Sequence, residues 1–126
     1  MSTDDVGEQL AEWGVVARIE TRGRTSGRPV AVAVGYVEER DGAWLVAAGE
    51  PDADWARNLE TDPHARVTIG RKTLAVDAER LEGVDAQQAV VELILKYGTS
   101  AERLGRGPVF RLTGVRRPLL SERGGS

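Results

Sequence analysis

Apolar and polar residues alternate with a period of two over much of the chain, and the alternating segments are rich in valine, isoleucine and threonine. Both features are typical of β-strands. Short turns that contain glycine separate neighbouring segments, so antiparallel hairpins are expected. The pattern predicts six strands, at residues 15–21, 30–37, 43–48, 67–69, 73–81 and 108–113.

Three other segments carry apolar residues at helical spacing. Polar side chains that can bond free backbone N–H groups stand near their starts. The predicted helices are residues 5–16, residues 55–60 with Asp54 as the cap, and residues 85–97, where Asp85 and Gln88 resemble a capping box.

The order of these elements indicates the fold class. Consecutive strands with helices inserted between hairpins favour a mainly β (α+β) domain over a βαβ nucleotide-binding fold. The strand at residues 30–37 is apolar on both faces, one bulky and one small, which suits the wall of a closed or nearly closed barrel. We expect it to pair with the strand at residues 43–48 through the turn at Asp41 and Gly42.

The length of 126 residues fits one domain, residues 1–126. The N-terminal helix is expected to occupy most of residues 1–14, and residues 119–126 are expected to form a frayed tail.

Composition narrows the possible chemistry. The chain has no cysteine and one histidine, His64, which excludes thiolate chemistry and disfavours a zinc site or a Ser-His-Asp triad. A net charge of -3 argues against a nucleic-acid partner. The acidic N-terminus, and the absence of an apolar run of about 20 residues, predict a cytoplasmic protein without a transmembrane segment.

The loop between the first two predicted strands concentrates positive charge. Its sequence TRGRTSGRP, residues 21–29, contains three arginines, two glycines and three hydroxyl side chains in an otherwise acidic chain. The loop does not match a P-loop, but its turn amides, hydroxyls and guanidinium groups together suit a phosphate. An ordinary hairpin turn would also use glycine and serine, so both interpretations stay open.

Two aromatic side chains leave similar alternatives. Trp55, at the start of the second predicted helix, could contact a flat ligand or plug one end of the barrel. Tyr97 closes the long helix and could belong either to the core or to a site.

The ordered series of residues 19–29, 45–49 and 54–63 resembles the deazaflavin-dependent nitroreductase family, whose members are split β-barrel oxidoreductases that use coenzyme F420. The family's typical pattern is a T-x-G-R-x-S-G turn followed by a P-x-W-x-x-N-L helix start. Arg106, Pro108 and Val109 also resemble the end of the family pattern.

The resemblance implies a six-stranded antiparallel split barrel of the FMN-binding type. It also implies a reductase in which the coenzyme carries hydride to a small conjugated, quinone or nitro acceptor. The resemblance further implies that two copies of the chain pair as a homodimer.

Site residues follow from the same resemblance. The turn at residues 24–28 would hold the coenzyme's phosphate and tail. The loop before Trp55 would lie by the deazaflavin ring, and Asn58 would hold this loop in place. Tyr97 would donate a hydrogen bond to the acceptor or cover the acceptor. The residues implied to bind the cofactor are Arg24, Thr25, Ser26, Gly27, Arg28, Ala47, Ala48, Gly49, Asp54, Trp55 and Asn58.

Some positions depart from the family pattern. Thr25 and Val30 stand where basic residues are common, and the loop before Trp55 is acidic. Two alternatives therefore stay open. One is an FMN-binding reductase, and the other is a non-catalytic split barrel that binds a lipid, a haem-type ligand or a flavin.

Overall fold

In the computed structural model, which describes residues 14–98 and 106–115, the strands form one antiparallel sheet. The strands are β1 Ala17–Arg22, β2 Pro29–Val34, β3 Val37–Glu38, β4 Trp44–Ala47, β5 His64–Ile69, β6 Lys72–Leu81 and β7 Val109–Gly114. The helices of these residues are α1 Asp54–Thr61 and α2 Gly83–Tyr97. The mainly β class is thus confirmed.

The two ends of the chain are only partly covered by the described residues. The predicted tail and most of the predicted N-terminal helix lie outside them, and residues 14–16 form a turn and bend instead of a helix. Neither α1 nor α2 has the length and apolar character that a membrane-spanning helix requires.

The prediction of six strands is wrong, because the segment at residues 30–37 forms two strands instead of one. β2 pairs with β1 as far as Val34, whereas Val37 and Glu38 pair with β4. The break falls at Gly35, where a Cβ atom would lie 2.9 Å from Cε2 of Tyr97. The predicted hairpin with the next strand therefore holds for β3 and β4 only.

This break explains how the sheet curls. The strand order is β2-β1-β5-β6-β7-β4-β3, so β2 and β3 are the two edges of the sheet. Gly35 and Tyr36 alone connect them, and a chain of three peptide units spans at most about 11 Å. The edges must therefore come together, which gives the sheet its barrel-like curvature.

The inner face of the curled sheet holds the main hydrophobic core. Ala17, Ile19 and Thr21 of β1 are buried and alternate with partly exposed residues, as a half-buried strand requires. Helix α1 inserts Trp55 and Leu59 into the same core. The outer face of β4 and the ends of β6 and β7 pack against α2 in a second, smaller cluster.

Strand β2 is more exposed than the sequence suggests. Val32 and Val34 pack against the main core, but Ala31 and Ala33 are exposed. The small apolar face of this strand is therefore open to solvent among the described residues, instead of being enclosed in a wall.

The predicted caps are wrong for both helices. α1 begins at Asp54 after Ala53, and α2 begins at Gly83 after Glu82, in each case without a side-chain cap hydrogen bond. Asp85 lies in the first turn of α2, where the partial positive charge of the helix N-terminus stabilises its negative charge. Asp54 is itself the first residue of α1, and its carboxylate accepts a hydrogen bond from Arg24.

Tyr97, at the end of α2, fixes the connection between β2 and β3. Its hydroxyl accepts a hydrogen bond from the Tyr36 backbone N–H at 3.0 Å and donates one to the Val15 carbonyl at 2.7 Å. Lys96 donates to the Tyr36 carbonyl at 2.7 Å. Side chains of α2 therefore form hydrogen bonds with the Tyr36 backbone N–H and carbonyl, which a continuous strand would use for pairing. Burial raises the pKa of Tyr97 above the ordinary value of 10.0.

We expect Tyr97→Phe to lower the free energy of unfolding by about 1–2 kcal/mol at neutral pH, because the Tyr36 N–H loses its partner. The raised pKa adds a pH dependence. The stabilisation that this raised pKa contributes is complete below pH 10, and it is lost as the pH rises through the pKa of Tyr97 in the folded protein. Urea unfolding at pH 7 and above pH 10 measures both effects, and the alkaline loss should be smaller in the Phe variant. Equal stability of the two proteins at pH 7 would contradict this role of the hydroxyl.

Candidate functional site

The β1–β2 loop, residues 23–28, is closed by its own hydrogen bonds. The Gly23 N–H donates to the Arg28 carbonyl at 2.8 Å, and the Gly27 N–H donates to the Gly23 carbonyl at 2.8 Å. The Arg28 N–H donates to the Ser26 hydroxyl at 3.1 Å. Gly27 has a φ of 72°, which a residue with a side chain adopts rarely. The loop is therefore an ordered turn, as its glycines indicate.

The buried side chain of Asn58 anchors this loop to helix α1. Its Oδ1 accepts hydrogen bonds from the Arg24 backbone N–H at 3.2 Å and from Arg24 Nη1 at 2.8 Å. Its Nδ2 donates to Thr21 Oγ1 at 3.1 Å. Asn58 is 2% exposed and Thr21 is 1% exposed, so water cannot replace these bonds. The carboxamide thus holds the β1–β2 loop, whereas the resemblance assigned it to the loop before Trp55.

The guanidinium group of Arg24 is compensated within the protein. Nη2 lies 3.1 Å from Oδ1 of Asp54, and Nη1 also donates to the Asp54 carbonyl at 3.4 Å. The Arg24 side chain is 28% exposed, and that of Asp54 is 82% exposed. These contacts hold the Arg24 side chain in place, and its ion pair with Asp54 has no net charge that would attract a ligand.

Beside this pair lies a pocket of about 240 Å³, which we call the loop pocket. Its lining residues are Gly23, Arg24, Thr25, Ser26, Val30, Asp54 and Asn58. Within residues 14–98 and 106–115, no hydrogen bond is formed by the backbone N–H groups of Thr25 and Ser26 or by the Thr25 hydroxyl. Adjacent amide and hydroxyl donors in a turn can bind a small anion.

The structure brings together only some of the residues implied by the resemblance. Arg24, Thr25, Ser26, Asp54 and Asn58 line the loop pocket. Gly27 instead lines a groove of about 400 Å³ on the other side of the loop, with Glu20, Arg22 and His64 among its walls. Arg28 is exposed beside it.

The remaining implied residues are buried or distant. Ala47 and Ala48 lie in the two hydrophobic clusters, on opposite faces of the sheet, and Gly49 begins the loop that follows. Tyr97 contacts Tyr36, seven residues along the chain from Pro29, so it lies roughly 20 Å from the β1–β2 loop at the other end of β2. Its hydroxyl is already bonded to backbone groups.

Trp55 packs in the core. It is 8% exposed, and its ring centroid lies 6.0 Å from that of Phe110. Of the two alternatives that the sequence leaves open, this geometry favours the plug at the barrel end over a stacking surface for a ligand.

Thr21 and Val30 also belong to this region, although neither is among the residues that the resemblance implies for the cofactor site. The signal for Thr21 was present, because it follows Ala17 and Ile19 at a spacing of two and must face inward with them. A buried hydroxyl requires a partner, which pointed to a polar side chain on a neighbouring element.

A comparison with models of protein families shows which family the chain belongs to. The model of the family described as F420H(2)-dependent quinone reductase matches residues 1–110. The chain belongs to this family. No curated protein sequence matches the chain.

Solved structures confirm the split-barrel fold and include a member of the reductase group. A structure described as the F420-H2 dependent reductase FDR-A is 27% identical, with a TM-score of 0.66, over 78% of this chain and 93% of that chain. One described as a domain-swapped dimer is 25% identical, with a TM-score of 0.66, over 86% and 95%. The haem storage protein HutZ from Vibrio cholerae shares the fold at 18% identity, with a TM-score of 0.70, over 93% of both chains.

In this member of the quinone reductase family, the loop pocket depends on Asn58. We expect Asn58→Ala to lower the free energy of unfolding by about 2–4 kcal/mol, because the buried Thr21 hydroxyl and the Arg24 amide both lose a partner. Thr21→Val removes one of the three Asn58 bonds, together with the long hydrogen bond from the Thr21 hydroxyl to the Val30 carbonyl at 3.5 Å, and should cost about 1–2 kcal/mol. Urea unfolding of the two variants measures the difference. An equal loss in both would show that the two bonds to Arg24 contribute nothing.

Proposed function

We propose that this protein is an F420H2-dependent reductase that delivers hydride from the reduced deazaflavin to a small conjugated, quinone or nitro acceptor. Membership of the F420H(2)-dependent quinone reductase family, over residues 1–110, carries the proposal. The loop pocket supports it, because Gly23, Arg24, Thr25 and Ser26 of the turn that resembles the family's phosphate turn line this one cavity.

The donor set of the loop pocket fits a phosphate group. Thr25 supplies a hydroxyl, and the backbone N–H groups of Thr25 and Ser26 have no partner within the described chain. The volume of about 240 Å³ accommodates a phosphate but not a whole deazaflavin coenzyme. The pocket would therefore hold the phosphate end, and the ring would lie outside it.

The residues of the chain have separate tasks in this proposal. Thr25 and Ser26 bind the phosphate, and Asn58 keeps their loop against α1, so that the donors are in place before the ligand arrives. The Arg24–Asp54 pair forms a wall of the pocket without attracting a second anion. When bound, the coenzyme supplies the hydride. The absence of cysteine is therefore no obstacle, and Tyr97 is not part of the proposed site.

FMN is the second candidate cofactor, and one observation favours it. Because Asp54 compensates Arg24 and position 25 is threonine instead of lysine, the loop pocket offers little positive charge. A cofactor with a single phosphate and no acidic tail needs less positive charge in its binding site than F420 does.

We expect purified protein to bind F420 saturably, and Thr25→Lys to tighten this binding about three- to tenfold by adding a charge-assisted contact to the phosphate. F420 fluorescence titration measures the affinity. Thr113→Lys, on strand β7, adds the same charge elsewhere and should have little effect at moderate ionic strength.

Two outcomes would contradict the proposal. A yellow flavin that copurifies with the protein, in the absence of F420 binding, would favour the FMN alternative. Binding of neither cofactor, together with a lipid or haem-type ligand in native mass spectrometry, would favour the non-catalytic alternative.

We also propose that the chain forms a homodimer. Strand β2 is an edge of the sheet, and its alanines are exposed, a combination that favours pairing with another chain. Light scattering on the purified protein should give twice the mass of one chain, and Ala33→Arg should lower it. A monomeric mass for the unaltered protein would exclude this dimer.

A further inference from the structure

A second groove lies on the other side of helix α1 from the loop pocket. It has a volume of about 320 Å³ and is lined by Pro51, Asp52, Arg57, Glu60, Arg80, Arg106, Gly107 and Pro108. Asp54 and Asn58 point to the loop pocket, whereas Arg57 and Glu60 of the same helix line this groove. We call it the arginine groove.

The three arginines of this groove come from three different elements. Arg57 lies on α1, Arg80 on β6 and Arg106 just before β7. Arg80 forms an ion pair with Glu60, and its Nε lies 3.9 Å from Glu82. It is therefore compensated, much as Arg24 is in the loop pocket.

Arg57 and Arg106 differ from Arg80 in this respect. Within the part of the chain that the structure describes, neither guanidinium forms an ion pair or a side-chain hydrogen bond. The protein has a net charge of -3, whereas the side chains that line this groove include three arginines and two acidic residues, an excess of one positive charge. Asp52 is the acidic lining residue without an ion pair.

The backbone that carries these two arginines is firmly held. A Cβ atom on Gly107 would lie 2.5 Å from the Ala48 carbonyl oxygen and 2.6 Å from that of Glu50. The Ala48 N–H donates to the Pro108 carbonyl at 2.9 Å. On the other wall, α1 is anchored by buried Trp55 and Leu59 on either side of Arg57. The distance between the two walls is thus fixed before any ligand binds.

We propose that the arginine groove is a second anion site, which binds a small molecule with two or more carboxylate or phosphate groups through Arg57 and Arg106. Guanidinium groups form paired hydrogen bonds with such anions, and the volume is within the range of small-molecule sites. The anion could belong to a free metabolite or to the acidic tail of a coenzyme whose phosphate occupies the loop pocket. The site itself does not depend on reductase activity.

Calorimetric titration of the full chain with citrate and with pyrophosphate tests the proposal. We expect saturable binding that weakens about tenfold in Arg57→Gln and in Arg106→Gln. Asp52→Asn should tighten binding because it removes a like charge from the groove. Arg40→Gln, in the turn before β4, removes the same charge elsewhere and is the matched control. All four side chains are exposed, so the variants should retain the far-UV circular dichroism of the unaltered protein.

Two further measurements identify the source of the anion. Thr25→Ala should leave citrate binding unchanged, since it alters only the loop pocket. F420 affinity that falls in Arg57→Gln and Arg106→Gln, but not in Arg40→Gln, would assign the groove to the coenzyme tail. Unchanged F420 affinity with lost citrate or pyrophosphate binding would assign it to a separate molecule. If neither arginine variant weakens the binding of citrate, pyrophosphate or F420, the proposal is wrong.

Discussion

A single buried carboxamide, that of Asn58, connects strand β1, the β1–β2 loop and helix α1. Its oxygen accepts two hydrogen bonds from Arg24 and its nitrogen donates one to Thr21. A carboxamide accepts through its oxygen and donates through its nitrogen, whereas an ionised carboxylate can only accept. Because the group is buried, each bond is costly to lose. The shape of the loop pocket therefore depends on a residue that need not touch the ligand.

Helix α1 separates two regions that differ in charge. On one side, Arg24 is compensated by Asp54, and the loop pocket offers mainly neutral donors. On the other side, Arg57 and Arg106 have no acidic partner in the described chain. Counting arginines in the sequence would give the opposite expectation, because TRGRTSGRP contains three of them. What matters for an anion is which charges remain uncompensated after folding.

The curvature of the sheet rests on the connection between β2 and β3. Tyr97 and Lys96 bind the backbone of Tyr36, so two residues leave the sheet and the strand changes its partner from β1 to β4. Alternating apolar residues run through this point without interruption. Periodicity reports which face a residue occupies but not which strand lies beside it, and the predicted single strand was wrong for this reason.

The sequence by itself determined the mainly β class, the inward face of β1, the helix that ends at Tyr97 and the family to which the motifs belong. These follow from local periodicity and from residues close together in the chain. The tertiary structure decided the rest. The sequence favoured Asp54 as a helix cap, but α1 begins at Asp54, and its carboxylate accepts a hydrogen bond from Arg24, thirty residues earlier. Trp55 could have faced a ligand, but Phe110 packs against it. In each case the partner is distant in sequence, so its contribution to the energy is invisible until the chain has folded.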